Sequence, residues 1–265
     1  MMVSGAVNQA APQNDADGNL FLVNRQWMVT DAYEPADLAM SDVPGQVRKM
    51  RPEAAEALRE MFAACKEETG LTLLSVSGYR SYEKQDGLFR HKLRNVKKNM
   101  AKAMEYVAPP GASEHQTGLA MDIGQKHKET LEVPFAKMPG GIWCRENCWR
   151  FGFILRYGEE WEEITGYKYE PWHFRYVGRE YAKEITEANI PYETWMIQHR
   201  VKVLKELLGG AAVTARDWTV QEEEAEEPAK AGEPAESPES EESGESAASG
   251  EPAEPAESQE ENTAQ

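Results

Sequence analysis

Two short stretches of the chain hold residues that could do chemistry together: SEHQTGLAMD (residues 113–122) and EPWH (residues 170–173). Among the five histidines, only His115 and His173 sit beside carboxylates at the edges of strand-like runs. A catalytic zinc ion takes three protein ligands from His, Asp or Glu and leaves a fourth position open. His115, Asp122 and His173 would supply two neutral nitrogens and one carboxylate, which leaves a divalent ion with one positive charge. Asp122 interrupts the apolar run LAMDIG, and a buried ionised carboxylate costs several kcal/mol unless it is paired or binds a metal. Glu170 stands three residues before His173 and is held extended by Pro171. A carboxylate so placed could take the proton from a water whose pKa such an ion lowers to about 7. The residues alone leave a second reading open, in which Asp122 caps a helix and His173 is a hydrogen-bonded core histidine.

Elements that could position both stretches surround them. PEAAEALREMFAACKEETG opens with Pro52 in a first helical turn and closes on Gly70. It carries Ala55, Leu58, Met61, Phe62 and Cys65 at helical spacing. LTLLSVSG reads as a strand ending at Gly78. Ser81 is placed to cap a second helix running through to Val107, where Pro109, Pro110 and Gly111 stop it. LAMDIG, GFILRY and HFRYV read as further strands, and GIWCRENCWRFG as a short helix. ITEANIPYETWMIQHRVKVLKELLGG gives one or two closing helices, with Gly209 as the stop. Helices packed on a small antiparallel sheet make the expected fold class α+β.

Composition separates a folded part from its ends. Residues 221–265 contain sixteen Glu, one Lys and no aromatic residue, so they carry −15 of the chain's net charge of −17. The remaining residues hold 28 basic and 30 acidic side chains, so the overall acidity says nothing about the partner of the folded part. The tail repeats GEPAES as GEPAEPAES and has too little apolar surface to offset the entropy of ordering it. The expected division is a flexible segment over 1–18, one domain over 19–210, and a disordered Pro/Ala/Glu/Ser-rich tail over 211–265. No signal peptide is visible, and no stretch approaches the roughly 20 apolar residues that span a bilayer. Three cysteines make no disulfide framework, and Cys65, Cys144 and Cys148 read as packing residues. The basic run HKLRNVKKNMAK reads as a solvated face rather than a nucleic-acid site, because no aromatic residues interleave it.

Three stretches in order, SGYRS (77–81), SEHQTGLAMDIG (113–124) and GFILRYGEEWEEITGYKYEPWHFRYVG (152–178), resemble the VanY-type D-alanyl-D-alanine carboxypeptidases among the LAS metallopeptidases. That group's signature is S-x-H-x-x-G-x-A-x-D followed by a downstream E-x-x-H. Ser113, His115, Gly118, Ala120, Asp122, Glu170 and His173 meet every position of it. The resemblance covers roughly residues 20–208 and implies an LAS-like zinc domain, with one Zn2+ per chain on His115, Asp122 and His173. It also implies Glu170 as general base and later proton donor, and Arg80 as the residue that binds substrate and stabilises the oxyanion. Gln85, Ser113, Tyr157 and Trp172 match positions that line the family's substrate pocket, whereas His91, His127 and His199 have no match and read as solvent-facing or structural.

The implied activity is removal of the C-terminal D-alanine from peptidoglycan stem peptides, by a monomer with no nucleic-acid partner. That substrate places the protein in the cell envelope or outside the cell, with the cytoplasm left open because no signal peptide is visible. The same signature serves L,D-carboxypeptidases that trim a tetrapeptide to a tripeptide. A non-catalytic wall-binding module is a further alternative, which would need neither Glu170 nor Arg80. A thiol enzyme using Cys144 or Cys148 lacks a histidine nearby in sequence and any activating motif.

Overall fold

The computed structural model describes residues 18–126 and 131–207. The expectations for the N-terminal segment before residue 18, the Gly209 stop, the acidic tail and His127 lie outside the described residues. A short antiparallel pair, β1 (Ala39–Met40) and β2 (Lys49–Met50), leads into α1 (Pro52–Thr69). Pro52 occupies the first turn of α1, where its missing N–H has no intrahelical partner to lose. Gly70 ends the helix in the left-handed conformation, φ 73°, and its N–H donates to the Lys66 carbonyl. The buried face of α1 includes Ala55, Leu58, Met61, Phe62 and Cys65, as the spacing predicts.

β3 (Leu73–Ser77) follows, and the Ser81 hydroxyl caps α2 (Tyr82–Asn95) by accepting the Lys84 N–H at 3.3 Å. The expected run of helix to Val107 does not form. Lys97 and Lys98 adopt left-handed φ values of 52° and 62°, and the Lys98 N–H turns back to the Leu93 carbonyl at 2.8 Å. Asn99 then caps a separate helix, α3 (Met100–Met104), accepting the Lys102 N–H at 3.0 Å. Asparagine offers the backbone a capping bond that competes with helix continuation, so one periodic stretch is cut in two.

The remaining elements are β4 (Ala120–Gln125), α4 (Pro139–Asn147), β5 (Phe153–Leu155), α5 (Glu162–Thr165), β6 (His173–Tyr176), α6 (Arg179–Ala188) and α7 (Tyr192–Leu207). β3 to β6 form one antiparallel sheet in the order β3-β4-β6-β5. The architecture is therefore α+β, as expected. No helix of the described residues is long and apolar enough to cross a membrane.

Side chains alternate across a strand, and this alternation sorts the sheet into an apolar face and a polar one. Met121 and Ile123 of β4, and Phe174 and Tyr176 of β6, pack in one cluster with Leu58 and Met61 of α1. The residues between them, Asp122, His173 and Arg175, turn the other way and are buried too. Register completes the arrangement: Ser77 pairs with Asp122 across β3 and β4, and Asp122 pairs with His173 across β4 and β6. A second cluster, including Ile154, Ile185, Tyr192, Trp195 and Met196, seats α6 and α7.

The turn that carries His115 is a 3-10 segment, Glu114–Thr117, closed by Gly118 at φ 70°. A Cβ on Gly118 would lie 2.8 Å from Leu38 Cδ2 and 3.1 Å from Arg51 Cγ, while the Gly118 carbonyl accepts the Arg51 N–H at 2.9 Å. Gly118→Ala is expected to cost about 1–3 kcal/mol of stability through the left-handed backbone alone. A urea midpoint lowered at unchanged slope would register that loss, and an unshifted midpoint would show that the turn tolerates a side chain.

Candidate metal and catalytic site

His115, Asp122 and His173 come together from the 3-10 turn, β4 and β6. One ligand atom from each lies within 4.8 Å of the others, and all three residues are buried. His115 Nε2 is 3.3 Å from Asp122 Oδ2, and His173 Nδ1 is 3.1 Å from Asp122 Oδ1. Ligand bonds of about 2.0–2.2 Å around a tetrahedral ion put neighbouring ligand atoms roughly 3.4 Å apart, so these two separations fit. The tautomer of His115 also fits, because its Nδ1 donates to the Gly78 carbonyl at 2.8 Å and leaves the Nε2 lone pair toward Asp122.

The charges around the trio call for a cation. Burial, reinforced by the Arg80 charge, lowers the His115 pKa to about 4, so the ring is a neutral donor at pH 7. Burial also disfavours charge on His173, but the carboxylates of Asp122, Glu114 and Glu170 outweigh it and raise the pKa to about 9. Burial raises the Glu170 carboxyl to about 7, with Asp122 adding to the effect against the pull of His173 and Arg80. Asp122 is pushed the opposite way, far below the usual carboxylate range: burial opposes its charge, but the two histidines outweigh it. Asp122 Oδ1 is nevertheless buried without an aligned hydrogen-bond partner among the described residues. A carboxylate with one orphaned oxygen, its other oxygen facing the neutral His115 ring, is a donor set that a divalent ion satisfies.

Glu170 and Arg80 reach the same place. Glu170 Oε2 lies 3.8 Å from His173 Nδ1, and Arg80 Nη1 lies 3.9 Å from Asp122 Oδ2. The β3–α2 connection holds Arg80, whose Nη1 donates to Ser77 Oγ at 3.1 Å and whose Nη2 donates to Ser113 Oγ at 3.5 Å. All nine residues singled out by the sequence line one cavity of about 300 Å³. Gln85 Nε2 donates to the Ala108 carbonyl at 2.7 Å, and its Oε1 is buried without a partner among the described residues. The Tyr157 ring packs against His173 with centroids 4.9 Å apart. Trp172 is half-buried on the edge of the core.

Sequence reasoning missed several members of the site. Tyr167 lines the cavity and packs against Tyr157 with the two rings tilted, its own ring covered by the Arg25 guanidinium. Leu88, Lys92 and Tyr106 form part of the wall, with the Lys92 ammonium 3.9 Å from the centre of the Tyr106 ring. His91 is exposed, as expected, yet also borders the cavity, whereas His199 stacks on Trp195 at 4.6 Å. The largest omission is Glu114, fully buried beneath His173 and paired with Arg156 and Arg175. One signal was available: Arg156 and Arg175 each sit inside a strand-like apolar run, GFILRY and HFRYV, and a buried arginine needs a buried acid.

A sequence profile described as "VanY: D-alanyl-D-alanine carboxypeptidase" matches residues 47–179, half of the chain. The chain belongs to the VanY family of D-alanyl-D-alanine carboxypeptidases. YodJ of Bacillus subtilis (strain 168) is 45% identical over 183 residues, which are 66% of either chain. The matched region thus falls just short of two thirds of that relative's length. The solved LdcB LD-carboxypeptidase is 44% identical with a TM-score of 0.64, covering 69% of this chain and 87% of that one. The vancomycin resistance D,D-pentapeptidase VanY from a VanB-type cassette, solved as a mutant in complex with Zn(II), is 34% identical with a TM-score of 0.58. That match covers 67% of this chain and 98% of the other. That VanY structure holds Zn(II), and the His-Asp-His group here is a donor set of the kind such an ion takes.

The cysteines stay out of this chemistry. Cys65, Cys144 and Cys148 are buried and unbridged. Burial raises all three thiols, that of Cys148 to about 12, so none supplies a thiolate at neutral pH. Iodoacetamide is expected to leave the native chain unmodified by mass and to add up to three adducts only after denaturation. A native adduct would show a thiol more accessible than these positions allow.

Proposed function

We propose that this chain is a zinc carboxypeptidase, with one ion per chain, that removes the terminal D-alanine from stem peptides ending in D-Ala-D-Ala. The observation that carries this reading is the convergence of His115, Asp122 and His173 with Glu170 and Arg80 in one cavity. A zinc ion held by the trio would polarise the scissile carbonyl and lower the pKa of a water to about 7. Glu170 accepts the proton of the attacking water and delivers it to the nitrogen of the departing D-alanine. Its buried place beside the trio suits both roles, since it can reach the water and the departing nitrogen from one position. Arg80 offers its planar, permanently charged guanidinium to the negative charge that develops on the carbonyl oxygen. Gln85 Oε1, without a partner among the described residues, is placed to accept a substrate N–H, and Tyr157 and Trp172 shield the reacting atoms from bulk water.

A second reading is trimming of a tetrapeptide at an L,D bond, and the higher likeness to the LD-carboxypeptidase favours it. Both bonds put the same carbonyl chemistry at the same centre, so the choice falls to the more exposed part of the wall, where Leu88, Lys92 and Tyr106 stand. A wall-binding module without turnover has no use for the poised Glu170. The envelope or the extracellular side is the proposed place of action, because the substrate is there, and the proposed state is a monomer.

Incubation with a stem pentapeptide and a tetrapeptide, with and without a zinc chelator, separates these readings by product mass. Loss of one alanine from the pentapeptide, abolished by chelation and restored by zinc, is the expected result. Loss from the tetrapeptide alone would select the L,D reading. Glu170→Gln is expected to keep bound zinc while turnover falls by about 10²–10⁴-fold; an unchanged kcat would remove Glu170 from the mechanism.

A further inference from the structure

His173 meets carboxylates through both ring nitrogens. Nδ1 faces Asp122 and Glu170 at 3.1 and 3.8 Å, and Nε2 lies 3.5 Å from Glu114 Oε2. A ring that binds an ion through one nitrogen keeps its proton on the other, so the partner that holds that proton decides which nitrogen can bind. The two oxygens of Glu114 are in different surroundings. Oε1 accepts from Arg156 Nε at 2.8 Å and lies 3.1 Å from Arg175 Nη1, whereas Oε2, like His173 Nε2 that faces it, is buried without an aligned hydrogen bond among the described residues. The arginines thus hold the carboxylate so that its second oxygen is left for His173.

Arg156 is itself held by Glu193, its Nη1 donating to Oε2 at 2.9 Å and its Nη2 to Oε1 at 2.5 Å. Glu193 stands in the first turn of α7, where a carboxylate also suits the helix dipole, and Asn24 Nδ2 donates to it at 3.3 Å. Arg175 is fixed from the other side by the Asn19 and Phe21 carbonyls, at 3.0 and 2.7 Å. Two arginines and two glutamates balance in charge, and the Arg156 and Glu114 side chains are 0% exposed. Removing one member of a buried charge network leaves another uncompensated, and Glu193 is joined to Glu114 through Arg156, so the seating of α7 governs where Glu114 sits.

We propose that Glu114 is a positioning residue that accepts the Nε2 proton of His173 and leaves Nδ1 to bind zinc, and that Glu193 of α7 holds Glu114 in place through Arg156. The proposal rests on the zinc reading above and adds a regulatory consequence to it. Metal affinity is coupled to the docking of the last described helix, so whatever loosens α7 lowers zinc occupancy.

The test compares wild type with Glu114→Gln, Glu193→Gln and Leu58→Ala by three readouts. These are zinc affinity from chelator competition, the unfolding midpoint of the zinc-free chain, and exchange of the His173 Nε2 proton by NMR. Leu58 is fully buried in a cluster that shares no residue with the network, so Leu58→Ala reports instability alone. Glu114→Gln is expected to weaken zinc binding 10–100-fold, and Glu193→Gln to weaken it by a smaller factor while speeding exchange of the His173 proton. Leu58→Ala is expected to lower the midpoint and leave both other readouts unchanged. If Glu114→Gln does not fold, Glu193→Gln carries the test through affinity and exchange together. Wild-type affinity in a folded Glu114→Gln, or wild-type affinity and exchange in Glu193→Gln, overturns the proposal. A wild-type chain that binds no zinc would sink the zinc reading, and with it the metal half of the proposal. The Nε2 proton would then still decide the contact with Glu114, since protection supports it and free exchange refutes it.

Discussion

Asp122 places an ionised carboxylate, 3% exposed, in the middle of an otherwise apolar strand. Its charge cannot be left to water, so the neighbouring structure must supply positive charge or a metal. His115 and His173 flank it directly, and Arg80 stands just beyond. Those groups make further demands in turn. His173 brings in Glu114, Glu114 requires Arg156 and Arg175, and Arg156 requires Glu193. Much of the polar interior can be followed outward from that single buried charge, ending at both ends of the described domain.

The sheet makes such a chain of charges affordable to build because it segregates the two kinds of interior. β4 and β6 give Met121, Ile123, Phe174 and Tyr176 to the apolar cluster beneath α1 and keep Asp122, His173 and Arg175 for the opposite side. Had the register between β4 and β6 slipped by one residue, His173 would face the apolar cluster and Phe174 the cavity. The pairing of Asp122 with His173 is thus both a hydrogen-bonding register and the device that brings two of the three candidate ligands together. The third arrives on a tight turn, where Gly118 supplies the left-handed backbone that lets His115 reach back toward the strand.

Much of the fold and of the central site was legible in the sequence. Helical spacing and the Pro52 and Gly70 signals located α1, the Ser81 cap located α2, and the apolar runs located β3 to β6. His115, Asp122, His173, Glu170, Arg80 and the four residues matched to a pocket were singled out from their motifs, and all nine line the same cavity. The break at Lys97 and Lys98 was not legible, since helical periodicity continues through it and only the Asn99 cap betrays a new start.

What the sequence determined by itself was local: residue types, their spacing along one strand or turn, and motifs whose order identifies a family. Only the tertiary structure decided that Glu114 is an interior carboxylate rather than an exposed turn residue. Its partners lie 42 and more positions away, at Arg156, His173 and Arg175, and Arg156 meets Glu193 a further 37 positions on. Local spacing sets which face of an element a side chain occupies. The partner of a buried charge is set by which elements the packed core brings together, and that information is absent from any single stretch of chain.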